Sequence, residues 1–152
     1  MGGGGWRRTG WRWRSGRYGG RLALLAGDLN TLDPNVDHTA RLAGLPTLYR
    51  RRHLRRDGRT VDTRAVSRLL DAGLVDLWRY AGGGEPDGGG DREATVPTRH
   101  GGAEFAPMRL DYLLATPELA ALTDAVRVVR GGDADNASDH WPVLADLALP
   151  PA

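Results

Sequence analysis

The chain of 152 residues contains no cysteine, no lysine and no long hydrophobic run. The absence of cysteine excludes disulfide bonds and thiolate metal sites. No apolar stretch approaches the roughly 20 residues of a membrane-spanning helix, and no apolar segment near the N-terminus indicates a signal peptide. The length fits one soluble domain, and we expect a cytoplasmic location by default.

All 21 basic residues are arginine, and together with the 22 glycines this indicates GC-rich coding rather than selection for guanidinium chemistry. The net charge of +2 conceals an asymmetry: residues 1–68 carry 15 arginines and 5 acidic residues, whereas residues 69–152 carry 6 and 14. A basic half beside an acidic half suits a ligand that bears phosphate and needs a metal ion. A basic tail and a solvated arginine-rich helix explain the same distribution, and composition alone favours that explanation.

Residues 1–20 are rich in glycine, tryptophan and arginine and show neither a strand period nor a helix period. We therefore expect a disordered leader. Arginine beside tryptophan also binds single-stranded nucleic acid through charge and stacking, so an arginine-rich nucleic-acid-binding module is an alternative function. The leader is the favoured interpretation, because nothing in the segment repeats or alternates as a binding surface would.

The rest of the chain predicts an α/β domain over residues 21–150. The apolar run 21–27 predicts a strand that is buried on both faces. Residues 60–72 predict an amphipathic helix, and Gly44 and Pro46 should interrupt any helix within residues 38–56. The remaining elements predicted are strands at 74–80, 109–115, 124–130 and 141–149, a short extended piece at 95–98, a brief helix from Thr116, and a flexible loop over 81–92.

Three short polar strings each adjoin one of these strands: Gly27-Asp28-Leu29-Asn30, Arg109-Leu110-Asp111-Tyr112 and Ser138-Asp139-His140. On an extended segment the side chains of Asp28 and Asn30 would point the same way. The aspartate can bind a metal ion or take a proton from water, and the neutral carboxamide can donate to a phosphoryl oxygen without repelling it. Taken alone, this first string is better explained as an Asx turn that ends a strand.

The second and third strings supply a carboxylate and an imidazole. Asp111 can orient a histidine and stabilise its imidazolium form, although pairing with Arg109 or with solvent explains this string alone. Asp139 offers the hard oxygen ligand that Mg²⁺ prefers. His140 can donate a hydrogen bond, as imidazolium, to a phosphorane-like transition state. The string that contains His140 is the most specific of the three.

In their order and spacing, with Thr95-Val96-Pro97-Thr98 ahead of the second, these strings resemble the C-terminal half of the endonuclease/exonuclease/phosphatase superfamily. The resemblance covers roughly residues 21–149. It implies a partial DNase I-like four-layer sandwich, mostly one mixed or antiparallel sheet with flanking helices. It also implies a metal-dependent phosphoesterase that uses Mg²⁺ or Mn²⁺ on a nucleic acid or a small phosphodiester.

The resemblance also implies a role for each residue of the strings. Asp28 would position the attacking water and contact the metal ion, and Asn30 would hold the scissile phosphate. Asp139 would be a metal ligand. His140 would stabilise the transition state, oriented by Asp111.

Two further expectations follow from the resemblance. Arg109 would support Asp111 or the backbone beside it.

The N-terminal half of the family domain, with its metal-binding glutamate, would be missing, because residues 1–20 contain no Asn, Asp, Glu or His. We therefore expect this chain alone to be inactive, which makes a non-catalytic fragment an alternative function. One sheet face would lose its cover and would associate with another copy of the chain or with the missing half; its expected members are Leu22, Leu24, Leu113, Val143 and Leu147.

Overall fold

The computed structural model describes residues 22–81 and 91–149, and its strands form two small antiparallel sheets. In the first sheet, β1 spans Leu24–Asp28, β2 spans Val75–Asp76 and β3 spans Asp111–Ala115. Strand β3 lies between the other two and pairs with both in antiparallel register. The central position of β3 explains why its residues are the most buried of the sheet.

The second sheet consists of β4 (Thr123–Val128) and β5 (Val143–Leu147). A register irregularity lies between Thr123 and Ala125. The expectation of one main sheet is wrong, because β5 forms its strand hydrogen bonds with β4 and contacts the first sheet through side chains. The chain is thus a mixed α/β protein with two antiparallel sheets.

Five short helices complete the described part of the chain: α1 (Thr39–Ala43), α2 (Thr47–Arg50), α3 (Arg64–Asp71), α4 (Leu77–Ala81) and α5 (Pro117–Ala120). Short 3₁₀ turns lie at Arg51–His53, Asp91–Glu93 and Gly132–Asp135. Helix α3 confirms the amphipathic helix predicted within residues 60–72, and the break between α1 and α2 contains Gly44 and Pro46 as predicted. None of the helices described is both long and apolar enough to cross a bilayer.

The strand predicted over residues 74–80 is largely wrong. Only Val75–Asp76 is extended, and the chain then enters helix α4. The Asp76 carboxylate accepts a hydrogen bond of 3.0 Å from the Trp78 amide, which satisfies a donor at the start of the helix. The partial alternation of residues 74–80 therefore predicted a strand where a helix begins.

The first sheet packs on both of its faces, with a different cluster on each. On one face, Tyr112 and Leu114 pack against Val66 of helix α3. On the other face, Ala115 packs with Trp78 and with Val126 of the second sheet. A third buried cluster lies behind the loop that follows β1 and comprises Leu32, Leu42, Leu45, Val96, Met108 and Leu110. This third cluster anchors the backbone that leads into β3.

Strand β1 is an edge strand and is more exposed than its apolar sequence predicts. One of its five residues is partly buried and four are exposed, so the expectation of burial on both faces is wrong. Leu22 and Leu24 are 52% and 46% exposed, as expected for an uncovered face. The other three predicted members of that face, Leu113, Val143 and Leu147, are partly buried against the cluster that contains Ala115 and Val126. Association of this face with another chain stays a prediction.

The leader predicted at residues 1–20 and most of the loop predicted at 81–92 lie outside the described residues. The other elements fall close to their predicted places. Residues 95–98 contribute an isolated bridge between Val96 and Met108, and Pro117 occupies the first turn of helix α5, after Thr116.

Candidate active site

Two aspartates face each other at one end of the first sheet. Asp28 is the last residue of β1 and Asp111 is the first of β3, and the antiparallel register places them directly opposite. Directly opposed residues project from the same face of a sheet, and two like charges in that position repel. A cation or an imidazolium beside the pair would offset this repulsion.

The chain turns immediately after Asp28. Asn30 has a φ of +48°, in the left-handed region that asparagine tolerates better than most residues. Its backbone amide donates to Asp28 Oδ1 and its side-chain Nδ2 donates to Oδ2, both at 2.8 Å. The expectation that the two side chains project in parallel from an extended segment is therefore wrong. They meet in an Asx turn, in which Asn30 fixes the orientation of the Asp28 carboxylate.

His140 completes the arrangement from the far end of the chain. Its Nδ1 atom lies 2.7 Å from Asp111 Oδ2, and the two side chains are 21% and 20% exposed. Phe105 contacts the imidazole edge-on, with ring centroids 5.9 Å apart. When the neutral ring donates Nδ1–H to the carboxylate, Nε2 keeps the free lone pair. The imidazole is thus held by one polar and one aromatic contact.

Thr95 joins the second polar string to the third. Its buried Oγ1 accepts hydrogen bonds from the backbone amides of Leu110 and Asp111, at 3.0 and 3.2 Å. Its carbonyl oxygen accepts a bond of 2.8 Å from the Trp141 amide. One residue therefore fixes the backbone beside both Asp111 and His140, a role that the sequence did not indicate.

Three further contacts hold the chain on either side of His140. Before it, the Thr98 hydroxyl donates to the carbonyl of Ser138. After it, the Trp141 indole donates to Asp135 Oδ1 at 2.7 Å, while the Arg130 guanidinium lies 4.2 Å from the centroid of the Trp141 ring. The loop that carries the imidazole is consequently tied to its surroundings at both ends.

Asp139 has a different environment from its neighbour His140. Its side chain is exposed, and its carboxylate accepts a hydrogen bond of 3.2 Å from the Ser138 hydroxyl. Its backbone carbonyl accepts from the Thr98 amide, also at 3.2 Å. Its role as a metal ligand stays a prediction.

The residues that the structure groups as potential metal ligands are Asp28, Asp111 and His140, each with one ligand atom within 4.8 Å of the others. Carboxylate oxygens suit Mg²⁺ and Mn²⁺, and Mg²⁺ is commonly held by one or two carboxylates together with water and substrate phosphate. Two carboxylates and one imidazole therefore fit such an ion, with positions left for water and phosphate.

The guanidinium of Arg109 binds neither Asp111 nor the backbone beside it, contrary to the expectation from the resemblance. Its guanidinium is buried and binds both oxygens of Asp76, at 2.9 and 2.6 Å, as well as Asp33 Oδ2. Arg79 also binds Asp33, at 2.6 Å, and Glu93 lies 3.9 Å from the Arg109 Nε atom. Burial explains this choice of partners: a buried guanidinium requires carboxylate partners, and Asp33 and Asp76 are also buried.

The ion network around Arg109 shifts the titration of its members. Burial alone would raise the pKa of Asp33, but Arg109 and Arg79 lower it below its usual value. Burial raises the pKa of Glu93 above its usual value despite the nearby arginines. The sequence carried little local signal for this network, since the carboxylate partners of Arg109 lie 33 and 76 residues away from it.

The structure brings together the four residues predicted to be catalytic. Asp111 contacts His140, Asn30 contacts Asp28, and the two aspartates are opposed in register. No protein-family model matches the chain, and comparison with curated proteins gives no significant match. The functional assignment therefore rests on the chemistry of these side chains.

Proposed function

We propose that this chain is a metal-dependent phosphoesterase that hydrolyses phosphoester bonds in a nucleic acid or a small phosphodiester, with Mg²⁺ or Mn²⁺ as cofactor. The observation that carries the proposal is the meeting of Asp28, Asp111 and His140, which come from three strings far apart in the sequence. The resemblance of these strings to the endonuclease/exonuclease/phosphatase superfamily supports the same conclusion. We also propose that the two sheets correspond to part of its four-layer sandwich.

Each residue has a chemical task in this proposal. Asp28, oriented by Asn30, positions the attacking water and accepts its proton. Asp111 orients His140, whose imidazolium form donates a hydrogen bond to the oxygen on which negative charge develops. Of the three grouped side chains, Asp28 would hold the metal ion, with Asp139 as the other predicted ligand, because an imidazolium at His140 has no lone pair to offer. The ion would supply charge neutralisation at the phosphoryl oxygens.

The sequence led us to expect an inactive chain; because Asp28, Asn30, Asp111 and His140 meet, we propose instead that the chain alone turns over slowly. In the described part of the chain the candidate ligand group holds two carboxylates and one imidazole, and efficient metal sites also need partners that orient their ligands. One observation favours the non-catalytic alternative: both oxygens of Asp28 accept hydrogen bonds from Asn30, as in a purely structural turn. Activity measurements separate the two functions.

The test is hydrolysis of bis-p-nitrophenyl phosphate by the purified chain with Mg²⁺, with Mn²⁺ and with EDTA. The proposal expects turnover that EDTA abolishes and that His140→Ala lowers by about 100-fold or more. The matched control is His100→Ala, because His100 is exposed, and it should keep wild-type turnover. Absence of metal-dependent turnover from folded protein, or equal loss in both variants, would overturn the assignment.

Metal binding is tested separately by titration with Mn²⁺, followed by its electron paramagnetic resonance signal. Asp28→Asn should weaken binding by at least about tenfold, because it removes a charged ligand. Asp139→Asn reports on the second predicted ligand: a comparable loss would support it, and unchanged affinity would remove Asp139 from the site. Wild-type affinity in Asp28→Asn would contradict the proposed metal site.

A further inference from the structure

A polar cleft of about 370 Å³ opens beside Asn30. Arginines from two separate elements line it: Arg52 from the 3₁₀ turn after helix α2, and Arg64 and Arg68 from helix α3. Asp62 is the one acidic residue in the lining. A cleft of this volume is within the range of ligand-binding sites.

The charges of the cleft do not cancel. Arg64 binds Asp62 through two parallel hydrogen bonds of 2.8 and 2.6 Å, so these two charges neutralise each other. Arg68 lies four residues further along helix α3, on the same side as Arg64. Among the described residues, Arg68 and Arg52 have no carboxylate partner, and Arg52 lies 5.0 Å from the centroid of the Tyr49 ring. Two positive charges therefore remain available in the cleft.

The position of the cleft relative to the candidate active site is fixed by two contacts. Asn30 lines the cleft and also binds the Asp28 carboxylate at 2.8 Å. The Thr31 hydroxyl donates to the Asp62 carbonyl at 3.0 Å, which attaches the segment before helix α3 to the loop after β1. The three arginines of the cleft and Asn30 thus line one continuous surface.

Arginines that line one cleft without acidic partners repel each other, and the fold gains nothing from that repulsion. A phosphate group removes it, because guanidinium groups bind phosphate oxygens bidentately and with charge assistance. Two such groups that line one cleft together with Asn30 form a suitable receptor for one phosphate.

We propose that this cleft binds a second phosphate group of a ligand that carries at least two, next to the phosphate that Asn30 holds. The inference rests on the proposed function for the identity of the first phosphate, whereas the cleft itself binds phosphate without it. Neighbouring phosphates occur both in an oligonucleotide strand and in small diphosphates, which present the same chemistry to Arg52 and Arg68.

The experiment measures binding of two probes to the full chain in EDTA: an oligothymidylate of about eight nucleotides, followed by fluorescence anisotropy, and inorganic pyrophosphate, followed by calorimetry. Arg68→Gln and Arg52→Gln should each weaken binding of at least one probe by about tenfold. For the oligonucleotide, each should also reduce the salt dependence by about 0.7 in the slope of log K against log salt.

The matched control is Arg127→Gln, which removes the same charge from an exposed arginine paired with Asp146 on the second sheet. It should leave both affinities unchanged, and it corrects for general electrostatic attraction by the other arginines. A loss restricted to the oligonucleotide identifies a nucleic acid strand as the ligand, and a loss for pyrophosphate identifies a small diphosphate. Wild-type affinity of both cleft variants for both probes would overturn the proposal.

Hydrolysis and phosphate binding, measured on the same proteins, separate this proposal from the proposed function. If the cleft variants lose binding while the wild-type chain hydrolyses nothing, the cleft stands and the phosphoesterase assignment fails. If hydrolysis is observed but Arg52→Gln and Arg68→Gln bind both probes normally, the phosphoesterase assignment stands and the cleft proposal fails.

Discussion

The Nδ1 atom of His140 lies 2.7 Å from Oδ2 of Asp111, although 29 residues separate them in the sequence. Thr95 supports the backbone beside both of them through its hydroxyl and its carbonyl. The contact therefore belongs to a hydrogen-bonded framework and gives the imidazole one preferred orientation.

Replacement of Asp111 by asparagine should change the tautomer of His140. In the wild type, neutral His140 should carry its proton on Nδ1, because the carboxylate accepts it. Long-range ¹H–¹⁵N correlation spectra report this tautomer directly, and Asp111→Asn should shift the population towards Nε2–H. Turnover should fall by roughly 10- to 100-fold. Asp124→Asn, at an exposed position, is the control, and an unchanged tautomer in Asp111→Asn would refute the orienting role.

Removal of the Thr95 hydroxyl should destabilise the fold and disturb the site together. Thr95→Val leaves the backbone amides of Leu110 and Asp111 without their acceptor in a buried place. We expect the free energy of unfolding to fall by about 1–3 kcal/mol, as measured with urea. Thr47→Val, at an exposed position, should cost far less, and equal effects of the two substitutions would count against the framework.

Disruption of the buried ion network should cost more than disruption of an exposed ion pair. Arg109→Met leaves Asp33 and Asp76 buried without their main cation, and we expect a loss of about 3–5 kcal/mol. Arg127→Met breaks the exposed pair with Asp146 and should cost less than about 1 kcal/mol. Urea unfolding of both variants gives the comparison, and a small loss in Arg109→Met would show that the network is not needed for stability.

Acidification should destabilise the chain in part through His53. Burial, with a smaller contribution from His38 and Arg52, lowers the pKa of His53 below its usual value of 6.5. Below pH 6.5 the unfolded chain takes up a proton at His53 that the folded chain resists. Neutral His53 therefore costs the fold nothing above that pH, and the free energy of unfolding decreases as the pH falls below it.

The measurement is urea unfolding at about pH 7.5 and about pH 5.5. His53→Gln should lose less stability between the two conditions than the wild type, because it lacks the titrating group. His100→Gln, at an exposed histidine, should keep the wild-type dependence. A His53→Gln variant with the full wild-type loss would show that other groups cause it.

Local sequence patterns identified most elements and failed at the start of helix α4 and at Arg109, whose partners are set by long-range contacts. The amphipathic period of residues 60–72 specifies helix α3, because the apolar stripe needs one buried side. Residues 74–80 alternate only in part, and there the bond between Asp76 and the Trp78 amide favours a helix. The burial of Arg109 was not predictable from its own string, since its partners lie 33 and 76 residues away.

The sequence by itself determined which chemical groups this protein has at its strand ends: two aspartates, an asparagine and a histidine, with no thiol among them. Composition and spacing are properties of the linear sequence, so they identify these groups without knowledge of the fold. Only the tertiary structure decided that Asp28 and Asp111 are opposed, that His140 binds Asp111 and that Arg109 binds elsewhere. Strand register and side-chain partners depend on packing between distant segments, and a linear pattern does not contain that information.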